Sequence, residues 1–390
     1  MNEFPTHPEE NPVRPDAEER PPAVDVPPCC DPAMPAFQET PGEESALVRD
    51  FLKREFFYIV VVFLVMLTGL FQTWRAYKTR EPASSVEPIL VGELDTRVAE
   101  KIEVLKEANH PVALVATGVG LLRSTLFWAG IAIAVLVLAL WIARGCILAP
   151  IPSNASPWGL WDVLKVAALF AGGGALLMAI LRANDIQAFA SSRTPTASIL
   201  ASLLLIGAAI VVIREEHRAS LADIGIRRDG FVRGVILGLI AFVLLQPILH
   251  GLATLHAKAA DSFPPTLQRS AHELLVTPSG PAFLLGIFAA VVIAPVTEEI
   301  LFRGLLLPAL RRWMRPLAAV WLSAAFFGAA HASEADVFVL VPMFVMGVVL
   351  GYLYDRTRTL AASLTAHITY NALVVLNLMT CRFVLMAEVS

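Results

Sequence analysis

An all-α, polytopic membrane bundle of about eight to nine helices is the fold class this sequence predicts, and three observations carry it. Of 390 residues, 56% are hydrophobic and only 16% charged, against roughly 25% charged in ordinary soluble domains. Apolar stretches long enough to cross a hydrocarbon core, roughly 20 residues in a helix, recur along the chain. The third is a cluster of charge, Glu298, Glu299 and Arg303, inside one such stretch. Each ionisable group near a bilayer centre costs about 3 kcal/mol even on the gentler insertion scales, so such residues are usually paired and functional.

The first 50 residues are crowded with Pro, Glu and Asp and lack apolar periodicity, so they cannot bury enough surface to order themselves and are expected to be a disordered tail. An acidic, proline-broken start of this kind does not look like a secretory signal. Residues 51–215 read as an N-terminal transmembrane region, with spans expected at 56–74, 126–142, 161–181 and 197–213. Residues 216–390 read as a second transmembrane region, with spans at 235–255, 282–310, 317–332, 337–354 and 361–379 and core motifs within 282–376. Gly230, Gly234 and Gly238, like Gly347 and Gly351, have the spacing that lets membrane helices approach closely.

Orientation follows from where Lys and Arg gather. The connections at 214–233, 311–315 and 356–358 are arginine-rich and fall on one side, predicted to be cytoplasmic, whereas the 331–336 turn is acidic and falls opposite. The N-terminus then also comes out cytoplasmic. The stretch 75–123 fits this scheme badly, holding several basic residues on the far side balanced by similar numbers of acids, and an extra helix or re-entrant segment near 112–122 would repair it. A net charge of -4 gives no argument for nucleic acid. Four cysteines, two of them the adjacent Cys29 and Cys30, are too few and too badly spaced for a disulfide framework or zinc ribbon and read as incidental thiols. The expected partners are the bilayer and a peptide or protein substrate, with lipidated substrates compatible.

Three constellations carry chemistry. Glu299 and Arg303 stand four apart on a helix and can pair, which lowers the cost of keeping both in the membrane. Glu298 points about 100° away and is left to face a water-filled cavity as a general base. Pro295 should loosen the turn before them and free backbone groups. Phe327 and His331 end the next helix one turn apart, and the imidazole can accept or relay a proton. His367 and Asn371 share a face of the last helix and offer two donors for the oxyanion of an acyl-transfer intermediate. Together they predict amide hydrolysis.

In their order and spacing, Glu298-Glu299-x-x-x-Arg303, Phe327-x-x-x-His331 and His367-x-x-x-Asn371 resemble the motifs of the CPBP intramembrane proteases, which include the type II CAAX prenyl endopeptidases and bacteriocin-processing or self-immunity proteins. The basic lead-in at 220–228 is similar too. The resemblance implies an intramembrane endopeptidase with a conical cavity opening to the cytoplasm. It implies that Glu298 activates water with help from His331, that Glu299 and Arg303 organise the helix, and that His367 and Asn371 form the oxyanion site. It leaves the cofactor open between none and a divalent metal such as zinc. The chain has no His-Glu-x-x-His helix, since His272-Glu273 is followed by Val276 where the second histidine would stand. Two other classes compete. A secondary transporter would need charged positions in both halves, whereas here they concentrate between Glu298 and Asn371. A scaffold or immunity factor of the same fold would not need the complete set of reactive side chains.

Overall fold

The computed structural model describes residues 90–144, 148, 156–183, 193–258, 269–331 and 337–388. The acidic tail with Cys29 and Cys30, the span expected at 56–74 and most of the acidic 331–336 turn lie outside the described residues.

The described residues form a helical membrane bundle. In chain order the helices are α1 Val91–Glu107, α2 Pro111–Arg144, α3 Leu160–Ala183, α4 Arg193–Val211, α5 Phe231–Lys258 and α6 Arg269–Val276, then α7 Pro281–Leu310, α8 Pro316–Ala330, α9 Val337–Thr357 and α10 Leu360–Met386. Five stretches are long and apolar enough to cross a membrane, those of α2, α4 with its π-helical extension, α5, α7 and α10, and α8 is a shorter apolar helix. Prolines open α2, α7 and α8, where the missing N–H costs nothing and the fixed φ suits a first turn. Thr359 caps α10 by accepting from the Ala361 amide at 3.2 Å, a standard N-cap bond.

The expected span at 126–142 starts too late. The helix begins at Pro111 and runs 34 residues, about 51 Å at 1.5 Å per residue, so residues 112–122 are its first third and not a separate helix. Arg123, which breaks the apolar run in the sequence, sits within it. Ahead of it, α1 is amphipathic. Leu94, Val98 and Leu105 are buried on one face, against Ala113 of α2 and Val384 of α10, while Lys106 pairs with Glu103 on the exposed side. Three of the basic residues that fit the charge rule badly, Arg97, Lys101 and Lys106, thus belong to a helix that packs against the end of the bundle.

Glycines set the helix crossings. A Cβ on Gly238 would lie 2.4 Å from the Ala362 carbonyl, and one on Gly234 3.1 Å from Ala361, so α5 and α10 approach backbone to backbone. Gly347 and Gly351 of α9 bring it onto Ala324 and Val320 of α8. Gly225 (φ 90°) adopts a conformation L side chains avoid, and its carbonyl accepts from Leu360 at 2.9 Å, tying the lead-in of α5 to the start of α10.

One buried cluster runs from Trp158, Val163, Leu205 and Ala209 through Leu305, Leu307 and Leu310 to Leu350, Leu353 and Leu360. Helices α3 and α4, assigned from sequence to the N-terminal region, therefore share a core with the motif-bearing helices.

Candidate active site

Helix α7 carries the two glutamates, and it is not a regular helix. Two π-helical segments interrupt it, Ala289–Ile293 and Ile300–Leu306, one on each side of the Ala294–Glu299 turn. Such segments are frequent at functional sites because they free backbone groups. At the first, the Ala294 amide reaches back five residues to the Ala289 carbonyl. The next donor in that register would be residue 295, but Pro295 has no N–H, so the Ala290 carbonyl loses its partner. Asn371 supplies the replacement, its Nδ2 donating to Ala290 at 2.9 Å. At the second, the Phe302 carbonyl accepts from the Leu307 amide and, at 3.2 Å, from the Ser323 hydroxyl. The Trp158 indole donates to Leu305 at 3.0 Å.

Glu299 and Arg303 form the expected pair at 2.7 Å, both inaccessible to solvent. The guanidinium also donates to the Gly347 carbonyl of α9 at 3.3 Å and sits 4.5 Å from the centre of the Phe327 ring. A desolvated cation over an aromatic face gains about 2 kcal/mol, which helps offset the burial of the charge. His331 lies 5.0 Å from the same ring and His367 5.8 Å. Phe327 is thus the hub of the site, which is why an aromatic stands one turn before His331.

Both imidazoles are oriented through Nδ1. In His331 it meets the Phe327 carbonyl at 2.8 Å, and in His367 it meets Glu299 Oε1 at 2.9 Å. A carbonyl and a carboxylate only accept, so each Nδ1 carries the proton and each Nε2 of a neutral ring is left with a lone pair. Both Nε2 atoms approach Glu298 Oε2, His367 at 3.7 Å and His331 at 4.0 Å. That oxygen is buried and has no hydrogen-bond partner among the described residues. Separations beyond about 3.5 Å between polar atoms are those a single water bridges.

The structure therefore brings Glu298, Glu299, Arg303, His331 and His367 around one point, with Asn371 one turn beyond His367. Two expected roles change. Asn371 spends one amide hydrogen on Ala290, so it holds the break in α7 and is not free to offer both hydrogens elsewhere. His367, with Nε2 as a lone pair, can donate to an oxyanion only when both ring nitrogens are protonated. Sequence reasoning missed the Ala290 and Gly347 carbonyls, which no side-chain motif marks. The Pro295 position was the available clue to the first.

A carboxylate and two imidazole lone pairs are a donor set that suits a divalent cation. Among the described residues, the three potential ligands whose atoms all lie within 4.8 Å of one another are instead Asp162, Glu216 and His217. There the Lys165 ammonium lies 2.9 Å from Asp162 and bonds Glu216 as well, so a cation already occupies that cluster.

These features define a helical membrane protein with a buried carboxylate and histidine centre suited to hydrolysis. Residues 280–373, about a quarter of the chain, match the family model described as type II CAAX prenyl endopeptidase Rce1-like, a match that supports the CAAX/CPBP intramembrane-protease family. The matched segment contains all six site residues. No curated protein and no solved structure matches the chain.

Proposed function

We propose that the chain is an intramembrane endopeptidase that hydrolyses a peptide bond of a membrane-associated substrate with water activated by Glu298. The observation that carries this is the buried Glu298 oxygen with no hydrogen-bond partner among the described residues, set 3.7 and 4.0 Å from two imidazole Nε2 atoms. A water held among these three acceptors has its oxygen presented to a scissile carbonyl and its protons directed at bases. Glu298 takes one proton as the water oxygen bonds to the carbonyl carbon. The C–N bond then breaks as that proton passes to the leaving amine with His331 as relay, and the new carboxyl group gives its own proton to the amine, so that a carboxylate and an ammonium group result. Glu299 acts through His367, fixing the ring that faces Glu298. Arg303 balances the charge of Glu299. The second amide hydrogen of Asn371 remains for the developing oxyanion.

Where a divalent ion is bound, Glu298, His331 and His367 are the residues that would hold it, and it would supply Lewis acidity and a more acidic bound water. The metal question is decided by metal analysis of the purified protein together with cleavage measured before and after chelation. For the activity itself, Glu298→Ala and His331→Ala are expected to abolish cleavage of a membrane-anchored substrate in a protein that still inserts and folds. Cleavage persisting in either variant would refute the assigned roles.

A further inference from the structure

Where α7 and α9 end and α10 begins, three guanidinium groups gather on one carboxylate. Asp355, in the last turn of α9, is 4% accessible. The Arg311 guanidinium, directly after the apolar stretch of α7, bonds Asp355 Oδ1. Arg358 approaches the same oxygen at 3.6 Å and Arg356 approaches Oδ2 at 3.8 Å. The three side chains are themselves largely withdrawn from water, with 20%, 13% and 10% accessible for Arg311, Arg358 and Arg356.

The charges there do not balance. Arg311 alone matches Asp355. Arg356 brings a further positive charge, and its Nε is buried with no hydrogen-bond partner among the described residues. The Tyr352 ring, its centre 5.5 Å from the guanidinium carbon, offers only the weak attraction of an aromatic face. Around Tyr354, Asp223 and Arg227 add one charge of each sign. Two helices end at this place and one begins, so their dipoles supply a net of only about half a negative charge. A cation held out of water without a matching anion is costly, and the cluster is therefore suited to take one up.

Depth indicates which anion. The apolar stretch of α7 stops at Leu310 and that of α10 starts at Leu360, so Arg311, Arg356 and Arg358 stand where the helices leave the hydrocarbon. Trp313, 71% exposed and close to Arg311 in the chain, is of the residue type that sits at head-group level. Guanidinium groups take phosphate oxygens two at a time, and basic pockets between membrane helices receive lipid head groups. We infer that the α9 to α10 turn is a phosphate-binding site, with Arg311 and Arg356 as its donors, filled at this depth by the head group of an anionic lipid. The bound phosphate joins the end of α7 to the end of α9 beside the start of α10, and so braces the two helices that carry the glutamates and His367.

The test titrates the full chain, purified in a neutral detergent, with dioctanoyl phosphatidic acid, with dioctanoylglycerol, which has the same acyl chains and no phosphate, and with inorganic phosphate, all at fixed ionic strength. Melting temperature and bound lipid counted by native mass spectrometry are the readouts. Phosphatidic acid should raise the melting temperature saturably and dioctanoylglycerol should not. Arg356→Gln leaves Asp355 bonded to Arg311, so the variant keeps its fold, and the midpoint concentration should rise about tenfold or more, the weight of one charge-assisted hydrogen bond. Arg228→Gln, the same charge change at an exposed arginine of the 217–230 connection, should leave the midpoint unchanged. A saturable rise with inorganic phosphate that Arg356→Gln removes assigns the same site to a free phosphate. No rise with either phosphate source, a rise that dioctanoylglycerol matches, or a rise that Arg356→Gln leaves intact or weakens no more than Arg228→Gln overturns the inference. Cleavage does not enter the measurement, so its outcome is separate from that of the proposed function.

Discussion

Glu298 and Glu299 are neighbours with opposite fates, decided by what each carboxylate touches. Glu299 is fully buried against Arg303 and His367, whereas Glu298 is partly accessible and faces the Nε2 atoms of His331 and His367 at 4.0 and 3.7 Å. Glu298→Gln preserves size and removes the base, so cleavage should fall by roughly 10²- to 10⁴-fold, the usual contribution of a general base, with an unchanged melting temperature in detergent. Glu299→Gln leaves the Arg303 guanidinium buried without its counter-charge, a loss of about 3–5 kcal/mol in comparable buried pairs. Thermal unfolding should register this as a marked drop, and Glu299→Gln with Arg303→Gln together should recover part of it. Equal melting temperatures for the single variant and the parent would show that the pair is not the anchor of α7. These residues were legible in sequence because charge in an apolar run is costly enough to need a reason. Their division of labour was partly legible, since a four-residue spacing picks out Glu299 for Arg303. The tautomers were not, because they depend on the Phe327 carbonyl and on Glu299 in three-dimensional contact.

At the scale of the helix, the break in α7 is a substitution of one donor for another. Pro295 removes an amide, the Ala290 carbonyl is orphaned, and Asn371 satisfies it from α10. Leaving that carbonyl unpaired costs about 1–3 kcal/mol, so Asn371→Ala should destabilise by about that amount. In a Pro295→Ala background the restored amide can serve Ala290, and the same Asn371→Ala change should then cost close to nothing. A double-mutant cycle on melting temperature gives the coupling directly, and additive effects would detach Asn371 from the helix break. The sequence showed that Pro295 would loosen the helix, but not where the freed carbonyl would find its donor, 81 residues away. The late start expected for α2 has a similar origin. Arg123 interrupts the apolar run, and hydropathy alone ends a span where charge appears, although a 34-residue helix can carry an arginine about a third of the way along.

Across the whole bundle, the site depends on how closely α5 and α10 cross, because α10 carries His367 and Asn371. Gly238 meets the Ala362 carbonyl, the Thr365 side chain and the Ala366 amide, all within 3.1 Å of where a Cβ would stand. Even Gly238→Ala must therefore push α10 away, an overpacking that costs roughly 1–3 kcal/mol. Since Ala366 directly precedes His367, the displacement should also widen the 3.7 Å approach of His367 to Glu298. Cleavage should fall more than stability alone accounts for, measured at a temperature where the variant is fully folded. Gly207 of α4 provides the contrast. It is exposed, and a Cβ added there would meet no atom within 4 Å, so Gly207→Ala should be neutral or stabilise by up to about 1 kcal/mol through helix propensity. If both substitutions behave alike, the α5 to α10 crossing does not set the geometry of the site, and the spacing of Gly234 and Gly238 serves packing in the bilayer without reaching the chemistry.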